Sequence, residues 1–304
     1  MPSEVFEAQA ALLVRALPYV ATETCFALKG GTAINLFVRN LPRLSVDIDL
    51  VYLPIEDRET SLLGIRSALA RIAQSVRKAM PGSVVTKNAA ADGTRLVVRQ
   101  RSAQTKIEVT PVLRGTVHSV ELRTVHPAAE ERFGLAEIQV VSFADLYGGK
   151  IVAALDRQHP RDLFDVRDLL ANEGIRDDLR KAFIVYLLSH DRPMSEVLAP
   201  TRKDITDEYL HNFEGMTNRP VSREELIAAR ETLISSIVED MPDEHRQFLI
   251  GFERGQPDWS LLDVAGVPDL PAVKWRQQNL DRIEKWKREQ LVRRLEEVLL
   301  GTGT

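Results

Sequence analysis

An α/β first half followed by an all-helical second half is the fold class this sequence predicts. Three observations predict it. Short β-branched, alternating segments recur between residues 26 and 141, several of them separated by helical stretches. From about 180 onward helical periodicity follows helical periodicity, with no strand signal of comparable strength. Gly, Pro and Asp punctuate the junctions. The expected division is 1–180 and 181–304, joined near Gly174 to His190.

Each element has its own reason. Glu4 to Leu17 places Phe6, Ala10, Leu13 and Leu17 on one helical face, with Pro18 as the stop. Phe26 to Leu28 reads as a strand ending at Gly30-Gly31. Thr32 then heads a helix closed by Pro42. Leu44 to Leu53 alternates and is a strand ended by Pro54, and Thr60 to Ala79 is a helix. SVVTKNAA, TRLVVRQRSA and QTKIEVTPVL read as three strands separated by an Ala-Asp-Gly turn and a short polar link. Glu137 to Val141 is a brief strand, Ser142 to Asp156 a helix, and another helix starts after His159-Pro160. KAFIVYLLSH, REELIAARETLISSIV, DEHRQFLIGF and one long helix from about Val273 complete the chain.

The 304 residues are 44% hydrophobic and 28% charged, the balance of a globular chain. A net charge of −4 excludes a polycation that coats nucleic acid indiscriminately, so any such contact must be local. Two places could supply it: Arg95, Arg99, Arg101 and Lys106 along the expected hairpin, and WRQQNLDRIEKWKREQLVRR from 275 to 294, which also reads as a solvated helix face. No apolar run approaches the roughly 20 residues that span a bilayer, and acids stand near the start where a signal peptide carries basic residues. A cytoplasmic location with no membrane partner is the expectation. One cysteine permits no internal disulfide, and six scattered histidines offer no zinc spacing.

The chemistry centres on D-I-D. Residues two apart on a strand project from one face with Cα atoms roughly 6.6 Å apart, so the Asp47 and Asp49 carboxylates can converge. At about 5 Å and an effective dielectric near 20 they repel by about 3 kcal/mol, which a cation between them relieves. Mg²⁺ is the natural candidate, because it takes oxygen ligands from a few carboxylates and substrate phosphates. On an exposed edge strand the same pair would be only a wet acidic face. KIEVT aims Glu108 away from Ile107 and Val109, and beside the first strand it would complete a triad able to hold two ions. Upstream, Gly30, Gly31 and Thr32 sit where a strand passes into a helix, a point receptive to phosphate. Lys150 follows two glycines and is placed to neutralise a triphosphate. Arg157, Arg161, Asp162, Asp165 and Asp168 come after it, and these later charges also fit a role in holding two helices together.

KGGTAINLF at 29–37, R-x-S-x-D-I-D from Arg43 to Asp49, KIEVT at 106–110, and K-x6-R-x3-RD-x2-D from Lys150 to Asp165 together resemble the AbiEii/AbiGii (MenT-like) toxin family of the DNA polymerase β-like nucleotidyltransferases. The tail GFERGQPDWSLLDV with LPAVKWRQQNL resembles it too. The resemblance implies a nucleotidyltransferase-like mixed sheet flanked by helices, then an all-helical half. It implies transfer of a nucleoside monophosphate from an NTP, with two Mg²⁺ ions during turnover and release of pyrophosphate. Asp47, Asp49 and Glu108 would bind metal. Gly30, Gly31, Thr32, Ser45, Lys150 and Arg157 would bind the nucleotide, with Asp162 or Asp165 as the later acid. The implied acceptor is the 3′ end of tRNA or another RNA, and the implied protein partner a cognate antitoxin. Two alternatives use the same residues otherwise: a haloacid-dehalogenase-like phosphatase with Asp47 as nucleophile, and a partner-binding scaffold with no turnover.

Overall fold

The computed structural model describes residues 4–87 and 93–301. A seven-stranded mixed sheet is built from β1 (Phe26–Lys29), β2 (Asp47–Tyr52), β3 (Ser83–Lys87), β4 (Arg95–Gln100), β5 (Ala103–Arg114), β6 (Glu121–Thr124) and β7 (Glu137–Val140), in the order β3-β4-β5-β2-β1-β7-β6. β2 runs parallel to β5 and antiparallel to β1, and β1 runs parallel to β7. The pattern is the α/β arrangement the sequence predicts.

Burial sets the face each strand shows. Ile48, Leu50, Leu96, Val98, Ile107 and Val109 are at most 1% exposed, and the helices α1 (Glu4–Ala21) and α3 (Arg58–Ala79) pack on the sheet. A one-residue slip of β2 would expose Ile48 and Leu50 and drive Asp47 and Asp49 into the core. The two apolar side chains alone make that cost about 3 kcal/mol or more.

The short helix α2 (Gly30–Ala33) continues into a π turn over Ile34–Val38, so helical structure begins two residues earlier than the Thr32 start expected from sequence. α1 runs through Pro18 instead of stopping there, because Val20 in the last turn is fully buried and holds that turn by packing. β6 and α4 (Pro127–Phe133) were not legible in the sequence; three of the four β6 residues are exposed and give no alternation. Ala91 and Asp92 of the expected Ala-Asp-Gly turn, and Asn88 to Ala90 before it, lie outside the described residues.

The remaining helices are α5 (Phe143–Arg157), α6 (Pro160–Asn172), α7 (Asp177–Leu188), α8 (Met194–Leu198), α9 (Thr206–Asn212), α10 (Arg223–Ile234), α11 (Asp243–Glu253), α12 (Pro271–Arg282) and α13 (Lys285–Leu300). The long final helix expected from Val273 is two helices, broken where Ile283 and Glu284 adopt extended backbone. Among the described residues no helix is long and apolar enough to cross a membrane.

By compactness the chain divides into Met1–Ser142 with Phe213–Val221, and Phe143–Asn212 with Ser222–Thr304. This division by compactness, at Ser142/Phe143, and the strand-to-helix change in the sequence, at 180/181, follow different features of the chain. The compact division reflects packing: α5 and α6 lie against α7 and α10. Within the first unit, Leu44 donates to the Met216 carbonyl at 2.9 Å and Asn218 to the Pro42 carbonyl at 3.1 Å, which pins the stretch leading into β2.

Candidate active site

The first cluster grows out of the centre of the sheet. β2 lies between β5 and β1, so Asp47 and Asp49 are not on an edge strand, and their burial alternates with that of Ile48 and Leu50. Parallel pairing sets Asp49 beside Glu108 and Asp47 beside Lys106. All three acids therefore emerge from one face, as the sequence predicts.

Glu108 is nonetheless committed elsewhere. β4 places Arg95 directly opposite it, and the guanidinium donates to both carboxylate oxygens at 2.7 and 2.9 Å. The Glu108 bonds first, then the charges of Glu108, Asp47 and Asp49, push Arg95 above its ordinary pKa. Arg95 thus sits in the field of all three acids. Among the described residues no three His, Cys, Asp or Glu side chains form a group able to hold a metal ion. The three carboxylates do not converge on one point, because Arg95, one of the basic residues that could supply a local nucleic-acid contact, occupies Glu108.

The donor chemistry still fits Mg²⁺. This ion keeps several waters and is held by one or two carboxylates together with substrate phosphates. Asp47 and Asp49 are such a pair, half-buried on a rigid central strand.

The Gly-Gly turn lies against this pair. Gly30 has φ +74°, and a Cβ on it would stand 2.6 Å from Asp49 Oδ2. Only glycine lets the turn and that carboxylate approach so closely. A Cβ on Gly31 would stand 2.6 Å from Arg43 Nη2, so a guanidinium of a residue only 2% exposed backs the turn. Thr32 is fully buried; its hydroxyl donates to the Asp47 carbonyl and lies 2.8 Å from the Ser45 hydroxyl. Both hydroxyls therefore tie the turn to the start of β2. The Thr105 hydroxyl donates to the Val46 carbonyl at 2.7 Å and fixes the same start from the β5 side.

The second cluster belongs to the helical unit. Lys150 on α5 is 7% exposed, with Nζ 2.8 Å from Asp162 Oδ1 and 3.1 Å from Asp165 Oδ2 on α6. Arg157 closes on the other oxygen of Asp162 at 2.9 Å while its side chain stays largely in solvent. Burial pushes the Asp162 carboxyl up, but Lys150 and Arg157 outweigh it and hold the group well below the usual carboxylate range. His159 caps α6, Nδ1 accepting from the Arg161 amide at 3.1 Å; burial and then Arg161 lower its pKa to about 4.

The two glycines before Lys150 serve packing rather than phosphate. A Cβ on Gly148 would stand 2.9 Å from the Phe183 amide nitrogen, and one on Gly149 3.0 Å from the Tyr186 ring, so they let α5 and α7 lie close together. Tyr186 donates to Asp145 at 3.2 Å in the same interface. A Gly pair inside a helical pattern is the signal that could have shown this.

The family model for the nucleotidyl transferase AbiEii toxin, type IV toxin–antitoxin system, matches residues 11–278. The chain belongs to the AbiEii toxin family. AbiEii proteins are nucleotidyltransferases by the family's own description, which removes the phosphatase and scaffold alternatives. Among solved structures the fold is similar to that of MenT4, a nucleotidyltransferase toxin from Mycobacterium tuberculosis H37Rv. The TM-score is 0.60 at 16% identity, over 95% of this chain and 93% of that one. No curated protein matches the sequence.

Proposed function

We propose that this AbiEii protein uses Mg²⁺ to transfer a nucleoside monophosphate from an NTP to the 3′ end of tRNA or another RNA, with release of pyrophosphate, and that a cognate antitoxin restrains it. The observation that carries this reading is the central strand β2, which holds Asp47 and Asp49 on one half-exposed face against a turn open only because residue 30 is glycine.

Asp47 and Asp49 would hold the ion. When bound, Mg²⁺ neutralises charge on phosphate oxygens and acts as a Lewis acid there. Gly30 and Gly31 leave backbone space for the triphosphate, with Arg43 behind them. Thr32 and Ser45 keep that turn fixed to β2, so the carboxylates and the backbone they face move as one piece. Arg95 neutralises Glu108 and limits repulsion among three acids on one face. For Glu108 to serve as a third ligand and support a second ion, this pair must open. The nucleotide roles of Lys150 and Arg157 rest on the family resemblance; within their own unit Arg157 keeps an exposed guanidinium and Lys150 is held in a buried network.

The test is incubation of the protein with each α-labelled NTP, Mg²⁺ and total tRNA. Label on RNA with stoichiometric pyrophosphate, both abolished by Asp47→Asn, is the expected result. Label on protein alone would move the acceptor, and absence of label and pyrophosphate with every NTP would contradict the reading.

A further inference from the structure

The surface of α12 and α13 carries charge opposite to that of the rest of the chain. Between residues 274 and 294 eight basic side chains stand against three acidic ones, a local +5 that leaves −9 for the remainder. Within it lie two of the three tryptophans, and both are bare: Trp275 is 48% and Trp286 52% exposed. The third, Trp259, is half-buried and packs on Phe248 and Phe252. Single exposed apolar residues need no explanation. Two half-bare indoles on successive helices, each with an exposed arginine seven residues further on, do.

Trp275 and Arg282 share one face of α12; Trp286 and Arg293 share one face of α13. Lys287 Nζ lies 5.3 Å from the centre of the Trp286 ring. Arg282, Arg293 and Arg294 are exposed and have no carboxylate in ion-pair range among the described residues. A cavity of about 280 Å³ opens beside the α12 face. Phe252 and Leu280 form its apolar part, and Lys274, Gln277, Gln278 and Asp281 supply the polar rim.

We propose that α12 and α13 form a docking surface for single-stranded RNA. The indoles stack on bases, Arg282, Arg293 and Arg294 neutralise phosphates, and the cavity takes one unstacked base whose edge meets the two glutamine amides and Asp281. An acidic peptide would satisfy the arginines, but it offers neither the flat faces that bare indoles recognise nor an edge for the amide rim. The choice of RNA over DNA rests on the acceptor proposed above.

Binding of a fluorescently labelled 12-nucleotide single-stranded RNA to the full chain, followed by anisotropy without NTP or Mg²⁺, separates this surface from the transfer reaction. Trp275→Ala and Trp286→Ala should each weaken binding roughly 5- to 150-fold. Arg282→Gln/Arg293→Gln/Arg294→Gln should flatten the slope of log affinity against log salt by about 2. All these side chains are exposed, so the melting temperature should not move. Unchanged affinity in the Trp and Arg variants overturns the proposal. So does equal binding of duplex RNA or a polyglutamate peptide with no sensitivity to Trp275→Ala, which would mark a general polyanion surface. Equal binding of the matching single-stranded DNA overturns the choice of RNA. Absence of NTP-dependent labelling, with RNA binding intact, would refute the transfer reading and leave this surface standing.

Discussion

Two pairs of aspartates stand in opposite conditions in this molecule. Asp47 and Asp49 are half-buried on the central strand of a seven-stranded sheet, on the face opposite Ile48 and Leu50. Asp162 and Asp165 are 4% and 2% exposed and share the ammonium of Lys150 within 3.1 Å. The difference lies in what surrounds each pair. A buried acid is tolerated when a buried cation matches it, and the match then holds helices together. The two acids on the central strand stand instead over a turn that only glycine can make, where the proposed Mg²⁺ and nucleotide would bind.

The contrast breaks first at Lys150. Lys150→Met leaves two buried carboxylates with less compensation and should cost about 3–5 kcal/mol of unfolding free energy, measured by urea denaturation. Lys150 is buried between both carboxylates, so any loss of nucleotide affinity in this variant should come with a loss of stability. The same network sets an acid limb. The Asp162 carboxyl lies below its ordinary range, so its stabilisation is complete above roughly pH 4–5 and is lost as pH falls toward the folded value.

Asp47→Asn should do the reverse. Turnover should fall by at least about 100-fold in a steady-state pyrophosphate-release assay, as expected when charge stabilisation is removed from a transfer site. The melting temperature should hold, because a half-exposed carboxylate contributes little to the fold.

His159 sharpens the account of the helical unit. Its pKa of about 4 lies below the ordinary 6.5, so the neutral form is favoured on folding; the contribution is full above pH 6.5 and is lost as pH falls toward 4. After allowance for partial solvent exposure the loss is roughly 1–2 kcal/mol. His159→Asn retains a cap and should flatten that slope in pH-dependent denaturation.

Arg95→Gln should change stability little. Its pair with Glu108 is about a third exposed on both sides, so melting should change by less than about 1 kcal/mol. Metal affinity is the informative readout: releasing Glu108 should tighten Mn²⁺ binding to the acid face, measured by electron paramagnetic resonance. Weaker Mn²⁺ binding would show that the guanidinium organises the face rather than competing for it.

Much of this was legible because period-2 alternation fixes faces. Ile48 and Leu50 against Asp47 and Asp49 specify which side of β2 is open, and Ile107 and Val109 do the same for Glu108. The engagement of Glu108 was hidden because it depends on hairpin register. Arg101 and Ser102 make the turn with φ +54° at Arg101, so Gln100 pairs with Ala103 and Arg95 necessarily falls opposite Glu108. Reading that link as a two-residue turn would have revealed the pair. The glycine pair inside a helical pattern marks a close approach at Gly148 and Gly149, but its partner, α7, lies some 35 residues away and is not named by that pattern. β6 was missed because it is mostly solvated and carries no hydrophobic period.

Ligand-induced thermal stabilisation tests the central claim most directly. Mg²⁺ with an NTP at about 100 times its dissociation constant should add about 2.7 kcal/mol to the wild type and raise its melting temperature by several degrees. Asp47→Asn should melt like the unliganded wild type and gain almost nothing from the same addition. An equal rise in both proteins would contradict the assignment of the β2 acids to the nucleotide site.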